Sequence, residues 1–172
     1  MRKFSLSLLV FALLSLSLWV LAQNKNASKS PDASGDAHAH VLVTPDKVVW
    51  GPAPPSLPAG AEMAVLQGDP SKAGAPFTLR AKFPNGYRVP PHWHPTDENV
   101  VVIQGTMVVG LGEKFDESAG RELPAGSYSL MPKGQRHFAW AKEDTIIQVY
   151  GTGPFEINYV NAADDPRRKT TN

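Results

Sequence analysis

Residues 86–98 read Gly-Tyr-Arg-Val-Pro-Pro-His-Trp-His-Pro-Thr-Asp-Glu. In an extended chain, side chains two residues apart point to the same face, so His92 and His94 project together while Trp93 faces away. Glu98 has the same parity as the two histidines, and its carboxylate can return to the same ion. The segment therefore predicts two imidazoles and a carboxylate around one metal ion.

A further ligand is expected from a separate strand. Of the three remaining histidines, His38 and His40 lie in or directly after the N-terminal leader, and His137 follows the turn Pro132-Lys133-Gly134. Three imidazoles and a carboxylate suit a divalent transition metal (Fe, Mn, Ni, Cu, Co or Zn), whereas Ca and Mg prefer oxygen ligands alone. Four protein ligands on a six-coordinate ion leave two positions for water, dioxygen or a bidentate substrate. We therefore predict an open site, which is typical of catalytic metals.

The composition excludes several other kinds of function. The chain has 172 residues and no Cys, so a disulfide framework, thiolate zinc sites, iron-sulfur clusters and a cysteine nucleophile are excluded. A net charge of +1 offers no broad positive surface for nucleic acid. The sequence also lacks a Walker-type phosphate loop, a Gly-x-Ser-x-Gly elbow and a dinucleotide fingerprint. Any metal must therefore bind His, Asp or Glu, and we expect a small-molecule partner.

The first 22 residues have the features of a secretory signal peptide. Arg2 and Lys3 precede the apolar run Phe4–Leu21, and small residues stand where signal peptidase recognises them, ending at Ala22. We expect cleavage after Ala22, and hence a periplasmic or extracellular protein with no stable membrane span. The alternative is a retained membrane anchor, because the apolar run approaches the roughly 20 residues that cross a bilayer.

The rest of the chain is interpreted as one all-β domain, residues 40–163, between a flexible leader, 23–39, and a charged C-terminal tail, 164–172. Runs rich in Val, Ile, Thr and aromatic residues alternate with Pro, Gly, Asn and Asp, and no stretch has a helical period. This pattern predicts an antiparallel sandwich or barrel. The ten predicted strands are His40–Thr44, Lys47–Trp50, Ala61–Gln67, Phe77–Phe83, Val100–Ile103, Thr106–Leu111, Ser127–Met131, His137–Ala141, Thr145–Tyr150 and Phe155–Val160.

The connections between these strands carry their own predictions. Asn85-Gly86 is a strong two-residue turn signal and predicts the start of a hairpin that carries the ligands. Gln104-Gly105 predicts a second tight turn. The segment 113–121 has mixed charge and is interpreted as a solvated connector. Phe138 and Trp140 are out of phase with His137, so we expect them to pack on the outer face.

Two spaced motifs resemble the signatures of the cupin superfamily. The first is Gly86-x5-His92-x-His94-x3-Glu98-x6-Gly105, and the second is Gly126-x5-Pro132-x-Gly134-x2-His137. The chain departs from the second pattern at its last position, where cupins usually have Asn and this chain has Ala141. The resemblance implies a cupin jelly-roll (double-stranded β-helix) barrel with one divalent transition metal held by the four residues predicted above: His92, His94, Glu98 and His137.

The resemblance leaves the reaction open, because cupins include dioxygenases, isomerases, epimerases, decarboxylases, storage proteins and sensor or sugar-binding modules. The leading hypothesis is an exported metal-binding cupin that activates a small oxygen-bearing substrate by dioxygenase-like or isomerase-like chemistry. In some cupin oxygenases the equivalent glutamate leaves the metal and acts as a base. Glu98 is therefore interpreted both as a ligand and as the candidate catalytic base.

Two other functions are compatible with the same residues. One is a non-catalytic metal- or small-molecule-binding sensor module, resembling the metal-binding cupin domain that some bacterial anti-sigma factors carry. The other is a structural or sugar-binding protein in which the metal only braces the barrel. The resemblance also implies a homodimer, since cupins often dimerise by strand or sheet packing.

Overall fold

The computed structural model describes residues 40–168. The predicted signal peptide, residues 1–22, and the predicted leader, 23–39, lie outside the described residues, as does the end of the predicted tail from residue 169. Within residues 40–168, no helix is long and apolar enough to cross a membrane.

In the described residues, eleven strands form two antiparallel sheets. The strands are β1 (Gly51–Pro52), β2 (Glu62–Gly68), β3 (Pro76–Phe83), β4 (Arg88–Trp93), β5 (Glu98–Gln104), β6 (Thr106–Leu111), β7 (Arg121–Pro124), β8 (Tyr128–Met131), β9 (His137–Ala141), β10 (Thr145–Thr152) and β11 (Asn158–Tyr159). A six-stranded sheet has the order β1-β2-β3-β10-β5-β8, and a five-stranded sheet has the order β11-β4-β9-β6-β7. The all-β, antiparallel prediction is confirmed.

The core lies between the inner faces of the two sheets. In β3 every second side chain is buried, from Phe77 and Leu79 through Ala81 to Phe83. β10 lies beside β3 and β5 lies beside β10 in the same sheet, and both alternate in the same way. The inward set of β5 begins with Glu98, so a carboxylate takes a position that alternation would otherwise give to an apolar residue.

Two of the predicted strands are wrong, and both lie at the start of the domain. Residues 40–44 and 47–50 pair with no strand, and a short 3-10 turn, Pro45–Lys47, separates them. Val43 and Val49 are exposed there, so their β-branched side chains have no inner face to join. β-propensity without a partner strand does not form a strand.

The strand β4 was not predicted, because Pro90 and Pro91 lie within it. Proline cannot donate a ladder hydrogen bond, so adjacent prolines argue against a strand in the middle of a sheet. Here they occupy an irregularity: the register between β4 and β9 shifts between Val89 and His92. A bulge accepts residues that regular pairing excludes.

The turn at Gly86 does not begin a hairpin, contrary to the prediction, whereas Gly105 lies in the predicted tight turn, between β5 and β6. Gly86 has a φ of 76° and Gly105 has a φ of 74°, values that favour glycine. The first turn joins β3 in the six-stranded sheet to β4 in the five-stranded sheet, and the second joins β5 to β6 across the same two sheets. Each turn therefore carries the chain from one sheet to the other.

The outer face of β9 carries an aromatic cluster. Phe138 is fully buried although it points away from the core, because the ring of Phe115 packs on it with a centroid distance of 4.9 Å. Phe115 also lies 5.4 Å from the ring of Trp140. The outward packing of Phe138 and Trp140 is confirmed. The segment 113–121 is not simply a solvated connector, since its phenylalanine covers this face and its last residue begins β7.

Candidate metal centre

The four predicted site residues come together at one end of the barrel interior. His92 lies in β4, His94 directly follows that strand, Glu98 begins β5 and His137 begins β9. His92 and His137 are opposite each other in the strand pairing, whereas Glu98 approaches from the other sheet. All four side chains are buried, with 3–9% of their surface exposed. The parity argument for His92, His94 and Glu98 thus matches the side-chain directions.

The side chains of this cluster face one another closely. The ligand atoms of the three imidazoles all lie within 4.8 Å of one another. Glu98 Oε2 lies 3.4 Å from His94 Nε2 and 3.5 Å from His137 Nε2. These separations leave room for a single ion between the four side chains, given metal-to-ligand distances of about 2.0–2.2 Å.

The Nδ1 atom of each imidazole is hydrogen-bonded to a backbone carbonyl. Nδ1 lies 2.7 Å from Pro90 O for His92, 2.7 Å from Glu156 O for His94 and 3.0 Å from Gln135 O for His137. A carbonyl oxygen only accepts, so each Nδ1 must donate, which leaves the Nε2 lone pair of the neutral ring directed at the centre. The three rings therefore present three donor atoms of the kind that metal ions bind.

One of these atoms is buried without a hydrogen-bond partner. His94 Nε2 has none, although the Glu98 carboxylate is its neighbour. Three lone pairs and a carboxylate in a buried pocket need a positive charge among them, because burying unpaired acceptors is unfavourable. Imidazole nitrogen and carboxylate oxygen are the donor set that divalent transition metals prefer. The residues present therefore fit a divalent transition metal.

The electrostatics of the cluster agree with this interpretation. Burial, with the neighbouring rings of His137 and His94, lowers the pKa of His92 to about 3, so this ring is neutral at neutral pH. Burial opposes the charged forms of His94 and Glu98 too, but their mutual attraction outweighs it. The pKa of His94 therefore lies above its usual value, and the pKa of Glu98 lies below its usual range. The site stabilises a carboxylate facing a cation.

Two hydrogen bonds join the segments that carry the two motifs. The Gly134 N–H donates to His94 O over 2.8 Å, and the Lys133 N–H donates to Asp97 Oδ1 over 2.8 Å. The turn before His137 is thereby tied to the loop between His94 and Glu98. Asp97 itself is exposed, whereas the adjacent Glu98 is buried.

The segment after β10 holds His94 in place, and the sequence analysis did not find it. The ring of Phe155 stacks on His94 with a centroid distance of 4.6 Å and an interplanar angle of 16°. The next residue, Glu156, supplies the carbonyl that accepts from His94 Nδ1. Neither motif extends to residues 155 and 156. Every residue has a backbone carbonyl, so the sequence does not indicate which carbonyl accepts from His94.

A cavity of about 70 Å³ opens beside the cluster. Its wall is mostly aliphatic, aromatic and thioether side chains, including Met107, Ala139 and Phe155. Ala139 lines the cavity on the same face of β9 as His137. A space of this size suits a few waters or a small organic molecule.

Known structures share this architecture. The polyketide cyclase RemF from Streptomyces resistomycificus superimposes with a TM-score of 0.57 at 18% identity, over 77% of this chain and 94% of its own. An acetylacetone dioxygenase from Acinetobacter johnsonii gives 0.56 at 18% identity, over 75% and 82%. An RmlC-like cupin from Shewanella frigidimarina gives 0.51 at 14% identity, over 67% and 94%. These likenesses show that the barrel has the cupin jelly-roll fold.

Sequence comparison places the chain in a family. A search of curated proteins finds no match. The family described as "Domain of unknown function (DUF4437)" matches residues 41–172. This match takes in both motifs, the four residues of the candidate site and every strand of the described barrel. The chain therefore belongs to the DUF4437 family.

Proposed function

We propose that this protein is an exported, metal-dependent enzyme that activates a small oxygen-bearing substrate by dioxygenase-like or isomerase-like chemistry. The observation that carries the proposal is the buried cluster of three Nε2 atoms and the Glu98 carboxylate, which opens onto a cavity rather than being closed by further protein ligands. Catalytic metal sites keep such open positions, whereas structural sites fill them.

The chain's own residues have distinct parts in this proposal. His92, His94 and His137 would hold the ion through Nε2, because the hydrogen bond of each Nδ1 fixes the tautomer of its ring. Glu98 is either a fourth ligand or the base that accepts a substrate proton. When bound, a divalent transition metal supplies Lewis acidity or a site for dioxygen. The apolar wall keeps bulk water away from the reacting atoms and so strengthens the electrostatic interactions within the site.

The substrate class draws support from two of the similar structures. One is named for cyclising a polyketide and the other for acting on acetylacetone with dioxygen. Both names refer to carbonyl compounds, whose oxygens bind divalent metals. At 18% identity, this supports carbonyl-bearing substrates as the first panel to assay, without selecting one of them.

Metal analysis combined with dioxygen-uptake assays tests the proposal. Protein purified without an affinity tag from its native host is expected to hold close to one equivalent of a transition metal, and to consume dioxygen or rearrange one member of a panel of diols, catechols and β-dicarbonyls. Less than a tenth of an equivalent of metal would sink the proposal.

The variant Glu98→Gln separates the two roles of this carboxylate. If Glu98 is the base, the variant keeps its metal and loses turnover. If Glu98 is a ligand, metal occupancy falls as well. Glu122→Gln is the control, because Glu122 lies on β7 at the surface, where it pairs with Lys142. This control should keep both metal and activity.

Export and assembly belong to the same proposal. Residues 1–22 support secretion into the periplasm or the medium, and the mass of the protein recovered from the native host tests it. Mature protein that begins at Gln23 supports cleavage, whereas a retained N-terminus in the membrane fraction supports the anchor. Light scattering of the purified protein tests the expected homodimer.

A non-catalytic binding or sensor module is the second candidate. The observation that favours it is that, beyond the cluster, the described residues lining the cavity include no further group able to transfer a proton at neutral pH. A closed four-coordinate zinc without exchangeable water would support this candidate. A five- or six-coordinate metal with exchangeable water would support the enzyme.

A further inference from the structure

We infer that the ligand of this site is a singly charged, bidentate oxygen chelator whose remaining atoms are apolar. The inference rests on the proposed function, since it assumes that the cluster holds a divalent metal. It goes further by specifying the charge and polarity of the molecule, which neither the fold nor the donor set determines.

The wall of the cavity supplies the first argument. Beyond the cluster, it is built from side chains such as Leu57, Met63, Val109 and Ile157, and the one polar residue among the described lining residues is Ser129. A hydroxyl or charged group on the far side of a ligand would lose its water without gaining a partner. Such a group weakens binding by roughly 10- to 100-fold.

The charge balance supplies the second argument. A divalent ion with one carboxylate and three neutral imidazoles has a net charge of +1. A singly charged ligand makes the buried site neutral, whereas a doubly charged ligand leaves one negative charge uncompensated. The described lining residues include no lysine or arginine that could pair with it. The cavity therefore selects against dianions.

Methionine side chains give this wall a further property. Met63, Met107 and Met131 line the cavity, and they are all the methionines of the chain apart from Met1. Met107 is buried, whereas Met63 and Met131 are half-buried. Methionine is unbranched and adapts to irregular shapes. The wall can therefore adjust to apolar substituents of different size, while it rejects charge.

Lactate and tartronate form a matched pair of probes. Both chelate through an α-hydroxy-carboxylate, but tartronate carries a second carboxylate where lactate has a methyl group. In water the dianion binds divalent ions more tightly because of its extra charge. The inference requires the opposite order in the protein, so a nonspecific metal-ligand interaction cannot imitate the expected result.

The experiment titrates Co²⁺-loaded protein with each probe and follows the visible absorption bands of the ion. We expect lactate to bind at least about tenfold more tightly than tartronate. Equal or tighter binding of tartronate, or no binding of lactate, overturns the inference while the metal site stands. Failure to bind Co²⁺ at all overturns the proposed function as well, so the two failures are distinguishable.

A variant pair tests whether the wall is responsible. Met63→Lys places a cation in the cavity lining and is expected to increase tartronate affinity at least about tenfold. Val65→Lys is the control, because Val65 lies on the same strand, is half exposed and does not line the cavity. Equal effects of the two variants would overturn the role of the wall. If Met63→Lys does not fold, the lactate and tartronate titrations of the wild type decide the matter.

Discussion

The three histidines of the cluster are oriented in two different ways. His92 and His137 each donate Nδ1–H to the carbonyl two residues earlier, Pro90 and Gln135. His94 donates to Glu156, 62 residues away. Two rings are thus oriented by the backbone of their own segment, and the third is oriented by a segment much later in the sequence.

This difference shows which ring orientations the two motifs can determine by themselves. For His92 and His137, the accepting carbonyl belongs to the same short segment as the ring. This hydrogen bond can therefore form as soon as the segment takes its local conformation. The orientation of His94 requires the segment after β10 to be packed in place, with Phe155 against both His94 and Phe77. The metal centre is therefore complete only when the C-terminal part of the barrel has docked.

The largest effect should come from removing any one of the three rings. All three rings supply a donor atom to the metal. We therefore expect His92→Ala, His94→Ala and His137→Ala each to weaken metal binding by at least about 100-fold, which exceeds the effect of removing a residue that only contacts a ligand. Competition with a chromogenic chelator measures it. His40→Ala is the control, because His40 is exposed and lies before the barrel. A ring variant that keeps wild-type affinity would remove that ring from the centre.

Phe155→Ala should show that His94 alone depends on the distant segment. We expect a loss of about tenfold in metal affinity, since His94 loses its stacking partner, and of about 3 kcal/mol in the free energy of unfolding. Phe115→Ala is matched to it: this ring is also half-buried in a loop, but it packs on the outer face of β9. It should lose similar stability in urea unfolding and keep its metal affinity. Equal metal affinities of the two variants would contradict the comparison.

Asp97→Ala should test the link between the two motifs. Loss of the Lys133 N–H bond is expected to cost about 1 kcal/mol in the free energy of unfolding, and to lower metal affinity about threefold. Asp144→Ala is the control, because its carboxylate accepts the Asn85 N–H over 2.9 Å in a similar exposed contact. The control should lose as much stability without a change in metal affinity, as denaturant unfolding and chelator competition would show.

Glu156→Ala should have the smallest effect. The side chain of Glu156 is exposed, and only its carbonyl contacts His94. Any residue supplies that carbonyl, so metal affinity should change less than about twofold, the scatter of an ordinary surface substitution. A larger loss in the same chelator competition would mean that the Glu156 carboxylate, rather than its backbone, matters to the site.

Much of the fold could be predicted, and the errors have a common cause. The pattern of apolar and β-branched runs between turn residues identified strands such as β3, where Phe77, Leu79, Ala81 and Phe83 share one buried face. It failed at residues 40–50, where β-branched residues have no partner strand. It failed again at β4, because Pro90 and Pro91 are unfavourable in a regular strand. The structure accommodates them at a bulge in the pairing of β4 with β9. Whether a segment pairs depends on its neighbours in space, and a local pattern does not contain them.

The sequence by itself determined which residues form the cluster. His92, His94 and Glu98 share one parity, the turn before His137 has its own motif, and the absence of Cys restricts a metal to nitrogen and oxygen ligands. These properties are local or compositional. They follow from the period of an extended chain and the chemistry of the side chains.

Only the tertiary structure decided how the cluster is held and what it faces. The chain passes from the five-stranded sheet to the six-stranded sheet between His94 and Glu98, and so Glu98 meets the histidines from the opposite side. Phe155 and Glu156 orient His94, and strands from both sheets contribute the apolar wall. Each of these features joins residues distant in the chain, and such contacts exist only after packing has brought the two sheets together.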